Sequence, residues 1–342
     1  MRRRIGLAAM GRISSWLAGL GLAALLQGGC SGPASTLTVP VAPWAGTAYL
    51  QLAEERGFAR GEGLMIRIDP HDDPQKIVQE WLRGELTIAP LTSVELVDVC
   101  SRLPERCPVV VLVLDESRGA DKLLVHRSIP TLRALRGRRV GLAPSSLGPF
   151  VLGRALESVG LDISEVTIVP TQPEAMGAAL NNRSVDAVAS FPPFSELVER
   201  LGIARTLFDS RAIPGEIVDV LVVEPAFLEA NREAVVKLLR SWQRTHAWAR
   251  RNPTEARNAL ARQLKVSDSA VARLEEGLAY FPLVQQQEML RPGGPMSDNL
   301  RAVRDLQQQL GIVRPDAPLP AVSDALVRQA LQPPGPIAAA PK

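Results

Sequence analysis

Histidine, cysteine and aromatic residues are all scarce in this 342-residue chain, and each scarcity removes a class of function. There are three histidines, and they are scattered. His71 follows the strand-like "RIDP", His126 ends an apolar stretch and His246 falls inside a helical run. All three read as solvated or structural. With no CxxC and no Cys/His cluster at ligand spacing, a zinc or iron site built by the protein is not expected. Nucleophilic catalysis would want a Ser or Cys beside a His, and neither GxSxG nor a histidine in a cleft-like turn is present. The chain therefore reads as a binder rather than an enzyme, with no cofactor. A bias of charge is missing as well. The 39 basic and 36 acidic residues become 35 and 36 once the four arginines before Cys30 are set aside. That balance gives no electrostatic case for a nucleic-acid partner. Aromatics make up only 4% of the chain, so Trp44, Trp81, Trp242 and Trp248 are each worth locating.

Long apolar runs are also absent; the longest, Ile13 to Leu26, is shorter than the roughly 18 residues a spanning helix needs. It follows Arg2, Arg3, Arg4 and Arg12 and ends at "LQGGC", the pattern of an export signal. The box resembles that of the lipoprotein signal peptidase, which implies a signal peptide over 1–29, lipidation at Cys30 and a tether over 30–35. Polar Gln27 stands where that box usually has Leu, and cleavage nearby to give a soluble protein is the alternative. Two thiols then remain, Cys100 and Cys107, on either side of "SRLPER". In an oxidising compartment they form one disulfide, or they are two unpaired buried cysteines.

From residue 36 onward strand and helix patterns alternate. "TLTVPVAP", "LMIRID", "LTIAPL" and "CPVVVLVLD" read as strands. Between them, "GTAYLQLAEERGFARGEG", "DPQKIVQEWLRGE" and "SVELVDVCSRL" read as helices. The alternation predicts a parallel sheet with helices on its faces. A second such unit starts near residue 127 and closes at "TLFDS"; "EIVDVLVVE" is another strand. From Pro225 the chain is almost entirely helical, up to a loosely held Pro/Ala-rich tail over 313–342 with one helix near "SDALVRQAL".

In order along the chain come "APWAGTAYLQLAEERGFARGEGL", "DESRGAD", "IPTLRALRGRRVGLAPSSLGPFVLGRALESVGLD", "PEAMGAALNNRSVDAVASFPPF" and "IPGEIVDVLVV". Together they resemble the SsuA-like group of ABC-importer solute-binding proteins, which covers nitrate, sulfonate, taurine and thiamine-precursor binders. The likeness runs from about Thr36 to about Leu264. It implies an α/β, two-lobed type II periplasmic-binding-protein fold with a helical C-terminal extension. Lobe one would comprise 36–123 and 215–312, and lobe two 124–214, with crossings near Lys122 to Arg127 and Pro214 to Val220. It further implies an exported monomer that takes a small, anionic solute and docks on an ABC permease driven by an ATPase. A lipoprotein reporting to a sensor, or a small-metabolite lyase on the same fold, are the other readings.

Ligands of open α/β sheets lie where strands give way to helices. Four such turns supply candidates: Trp44, Ala45, Gly46 and Thr47; Thr92 and Ser93; Ser145, Ser146 and Gly148; Ser190 and Phe191. Helix N-termini there suit an anion without Lys or Arg, although each Ser, Thr or Gly is equally an ordinary cap. In "LDESRGADKLL", Ser117 is a further candidate. Asp115 either binds a cationic part of the ligand or pairs with Arg118 or Lys122, and Arg118 and Asp121 read as hinge residues. Asp219, a charge inside an apolar strand, is either partnered or at the cleft edge. These acids leave the ligand's charge open.

Overall fold

The structure, a computed structural model, describes residues 35–333. The export signal and Cys30 lie outside the described residues. The chain begins with β1 (Ser35–Val41), α1 (Ala45–Glu55), β2 (Leu64–Pro70), α2 (Pro74–Arg83), β3 (Ile88–Thr92), α3 (Ser93–Arg102) and β4 (Val109–Ser117). Local chemistry sets the helix ends. Asp73 accepts the Gln75 N–H to cap α2, Pro74 occupies its first position, and Gly84 closes it at positive φ. Thr92 and Glu95 form a reciprocal capping box on α3. Trp81, on the inner face of α2, is wholly buried.

The middle of the chain gives β5 (Lys122–His126), β6 (Arg139–Leu142), α4 (Leu147–Glu157), β7 (Thr167–Pro170), α5 (Met176–Asn181), β8 (Ala187–Ser190), α6 (Phe194–Arg200) and β9 (Ala204–Asp209). It returns through β10 (Val218–Val223) into helices α7 (Pro225–Arg251), α8 (Pro253–Leu264) and α9 (Asp268–Glu276). The chain then runs through β11 (Leu278–Ala279), α10 (Leu283–Met289), α11 (Pro295–Gln309), β12 (Ala321–Val322) and α12 (Ala325–Leu331).

β1 and β2 pair in parallel; one larger sheet has the order β11-β4-β10-β3 with β12 beside β4, and the other β7-β6-β8-β5-β9. β6 is parallel to β7 and β8, as expected, but the two larger sheets are mixed rather than wholly parallel. β10 is antiparallel to both β3 and β4, and β5 is antiparallel to β8 and β9. These two strands carry the chain between the sheets, so they enter against the direction of the βα units around them. β4 ends at Ser117 in the first large sheet, and β5, in the second, starts at Lys122. Along β5 the side chains alternate, with Leu123 and Val125 joining the main core and Leu124 joining a smaller one with Met176, Leu180 and Val188.

Two further sequence readings are resolved. Cys100 and Cys107 are bonded, their Cα atoms 4.4 Å apart. The tail is not loosely held over its described part. Val313, Ala317, Leu326, Val327 and Ala330 are buried, β12 pairs with β4, and Arg240 on α7 donates to the Gln329 and Ala330 carbonyls. These five apolar residues pack inward while Leu331 stays exposed, which a Pro/Ala-rich composition does not reveal.

Candidate functional site

The connection from β1 to α1 forms one wall of a cavity. Trp44 caps α1 in an extended conformation and its indole Nε1–H donates to Asp115 Oδ2 at 3.0 Å. Across the cavity stands Phe191, just after β8, edge-on to Trp44 with ring centroids 6.1 Å apart. One aromatic follows β1 and the other follows β8, and the cavity beside them encloses about 70 Å³. Gly46 permits the arrangement: a Cβ there would stand 2.2 Å from Asp115 Oδ2.

The candidates divide by position. Trp44, Thr47, Thr92, Ser145, Phe191 and Asp219 line the cavity. Thr47 turns its hydroxyl to the Ala42 and Trp44 carbonyls, so it holds the wall rather than offering a free donor. Ala45, Gly46 and Gly148 are buried behind the wall. Ser93 donates to the Glu216 carbonyl and accepts from Val218 N–H. Ser117 shares a hydrogen bond of 2.8 Å with Ser210 and accepts from Asp121 N–H, tying the outgoing crossing to the returning one. These two serines are therefore structural ties outside the cavity lining. Ser146 lies in a neighbouring open groove with Ser145, and its Oγ, like that of Ser190, is buried without a partner.

Residues missed by sequence reasoning also line the cavity, chiefly Asp73, Gln75, Glu95, Leu147 and Asp121. The T-x-x-E spacing of a capping box would have pointed to Glu95. Its carboxylate accepts from Thr92 N–H at 3.1 Å and from Gln75 Nε2 at 2.7 Å. In sequence Asp121 reads as a hinge residue because Arg118 and Lys122 flank the acids. Those cations go elsewhere: Arg118 pairs with Glu116 at 2.9 Å and Lys122 with Glu199 at 2.8 Å. Among the described residues, Asp115, Asp121 and Asp219 have no cationic partner.

Asp115 and Asp219 are partners across the β4/β10 pair. Burial pushes the Asp115 carboxyl up to about 7, partly opposed by the Trp44 indole and by a shared hydrogen bond with Asp219. Burial, and then the Asp115 charge, hold Asp219 well above the carboxylate range. Burial raises Asp121 to about 6, and raises Glu95 despite its capping bonds. Two carboxyls side by side in a dry site share protons rather than ionise together. No Lys, Arg or His is among the lining residues of this cavity. The site can therefore accept a hydrogen-bond donor or a cation on one side and an apolar group against the Trp44–Phe191 pair.

Two α/β units, joined by two crossings and facing each other over an aromatic-walled cavity, define a two-lobed solute-binding protein. A model described as NMT1/THI5 like matches residues 44–256. The chain belongs to the NMT1/THI5-like family. The taurine-binding periplasmic protein of Escherichia coli is 27% identical over 263 residues, covering 74% of this chain and 79% of that protein. The aliphatic sulphonate-binding protein SsuA of Escherichia coli superposes with a TM-score of 0.66 at 18% identity, covering 86% of this chain and 97% of that one. The desulfurization enzyme DszB superposes with a TM-score of 0.63 at 17% identity over 87% and 99% of the two chains. The fold is thus shared by periplasmic binding proteins and by an enzyme.

Proposed function

We propose that the protein is an exported lipoprotein, anchored through Cys30, that captures one small solute between its lobes and delivers it to an ABC permease and its ATPase. It would work as a monomer, with lobe one over 36–123 and 215–312 and lobe two over 124–214, closing by hinge bending at the crossings. The observation that carries this reading is the cavity walled by Trp44 from one lobe and Phe191 from the other. Binding rather than catalysis is supported by the relatives, which are named as binding proteins.

The same lining argues for a solute that is not simply anionic. Asp121 and Asp219 line the cavity, and no Lys or Arg of the lining offers a simple anion a cationic partner. A zwitterion such as taurine, the ligand in the name of one relative, would set its ammonium on the acids. Its sulfonate would then face the N-terminal end of α1 or α4. Thermal melting against taurine, alkanesulfonates, nitrate, bicarbonate, pyrimidines and small carboxylates tests the proposal. A ligand at 100 times its Kd adds about 2.7 kcal/mol. An amine-bearing solute should shift the melt in the native protein and not in Trp44→Ala. A shift by nitrate alone would overturn the charge argument, and turnover of a bound solute would overturn the binder reading.

A further inference from the structure

The end of β2 carries a second constellation, away from the cavity lining. His71 continues the β1/β2 pairing, its N–H donating to the Val41 carbonyl at 2.8 Å. Its imidazole is turned inward; the side chain is only 9% exposed, and Nε2 is buried with no hydrogen-bond partner. That nitrogen lies 3.5 Å from Asp69 Oδ2 and 3.5 Å from Glu80 Oε2 on α2. One donor atom from each of the three residues falls within 4.8 Å of the others.

These spacings are too long for hydrogen bonds and right for ligands of one ion. Two donors bound to zinc at about 2.0–2.1 Å in tetrahedral geometry stand about 3.4 Å apart. Neither carboxylate approaches closely enough to hydrogen-bond Nε2, which stays without a partner. We propose that Asp69, His71 and Glu80 form a binding site for a divalent transition metal of the zinc class. The two carboxylates balance the charge of the ion, and the neutral imidazole supplies the nitrogen that Mg²⁺ and Ca²⁺ do not favour. The half-exposed Asp69 leaves the remaining coordination position open to water. The histidines look scattered in sequence because two of the three ligands are carboxylates, one of them brought in by the fold of α2 over β2.

The site sits at the root of a cavity wall. Asp73, which caps α2, and Gln75, which bonds Glu95, follow within four residues of His71. A metal at His71 would fasten α2 to the end of β2 just before those residues enter the cavity.

The test uses the full chain without a histidine tag, stripped with a chelator, then titrated with Zn²⁺ against a chromogenic competitor and with Co²⁺ by visible absorption. One equivalent of Zn²⁺ should bind, with d–d bands from Co²⁺ and no competition from Mg²⁺ or Ca²⁺. His71→Ala should weaken Zn²⁺ by more than about tenfold and abolish the Co²⁺ bands. Glu80→Gln should also weaken it, and serves if His71→Ala does not fold; His126→Ala should change nothing. Equal Zn²⁺ uptake by the native protein and His71→Ala, or none by either, would overturn the proposal whatever the solute turns out to be.

Discussion

Replacing Asp115 with Asn removes one ionisable group behind the cleft while keeping its shape and its acceptor for the Trp44 indole. The new amide N–H₂ can donate to Asp219, so the pair no longer depends on a shared proton. In the native protein burial holds Asp115 at about 7, against an ordinary value of 3.8. The folded protein therefore keeps this proton up to neutrality, whereas the unfolded chain loses it above about pH 4. Stability from the group is complete below pH 4 and is lost as pH rises towards 7, a total on the order of 4 kcal/mol at about 1.4 kcal/mol per pH unit. Asp121 and Glu95 are raised in the same direction, but they act in both proteins and cancel in the comparison. For about 300 ordered residues, 4 kcal/mol corresponds to roughly 6 °C in Tm. Melting curves from pH 4.5 to 8 should show the native Tm falling relative to that of Asp115→Asn by about this amount. Parallel Tm–pH curves for the two proteins would refute the shared-proton account of the cleft.

Other expectations rest on separate contacts. Trp44→Ala should weaken solute binding by about 10- to 100-fold in calorimetry, the loss of a large aromatic wall, while a Kd within threefold of native would remove Trp44 from the site. Gly46→Ala would bring its Cβ to 2.2 Å from Asp115 Oδ2. The carboxylate must then move, at a cost of about 1–3 kcal/mol in denaturant unfolding, and unchanged stability would contradict the packing described. Reducing the Cys100–Cys107 bond, which closes a short loop of sequence separation 7, should lower stability by roughly 2 kcal/mol with no change in solute affinity. Loss of affinity on mild reduction would show that the loop reaches the cleft. Solute affinity should itself rise from pH 5.5 to 7.5 if the bound group is a cation, because the acids facing it give up protons on binding; a fall over that range would point to an anion.

Much of the architecture is local and so was written in the sequence. The β-branched run of β4, the capping box at Thr92 and the glycine closing α2 depend on neighbours a few residues away, and they fix the order of strands and helices. The same locality made the strand-to-helix turns visible, and Trp44, Thr92, Ser145 and Phe191 do line one cavity. Only the tertiary structure decides where charges and hydroxyls from distant segments meet. Glu116, rather than Asp115 or Asp121, takes Arg118; Ser93 and Ser117 are consumed by bonds to the returning crossing; and Glu80 reaches His71 only because α2 folds back along β2. A pairing of this kind is chosen by distance in space, and residues such as Asp115 and Asp219, 104 positions apart in sequence, carry no mark in the chain of which partner they will find. Which acids gather behind the cleft follows from those pairings and could be read only once the two crossings had brought the strands together.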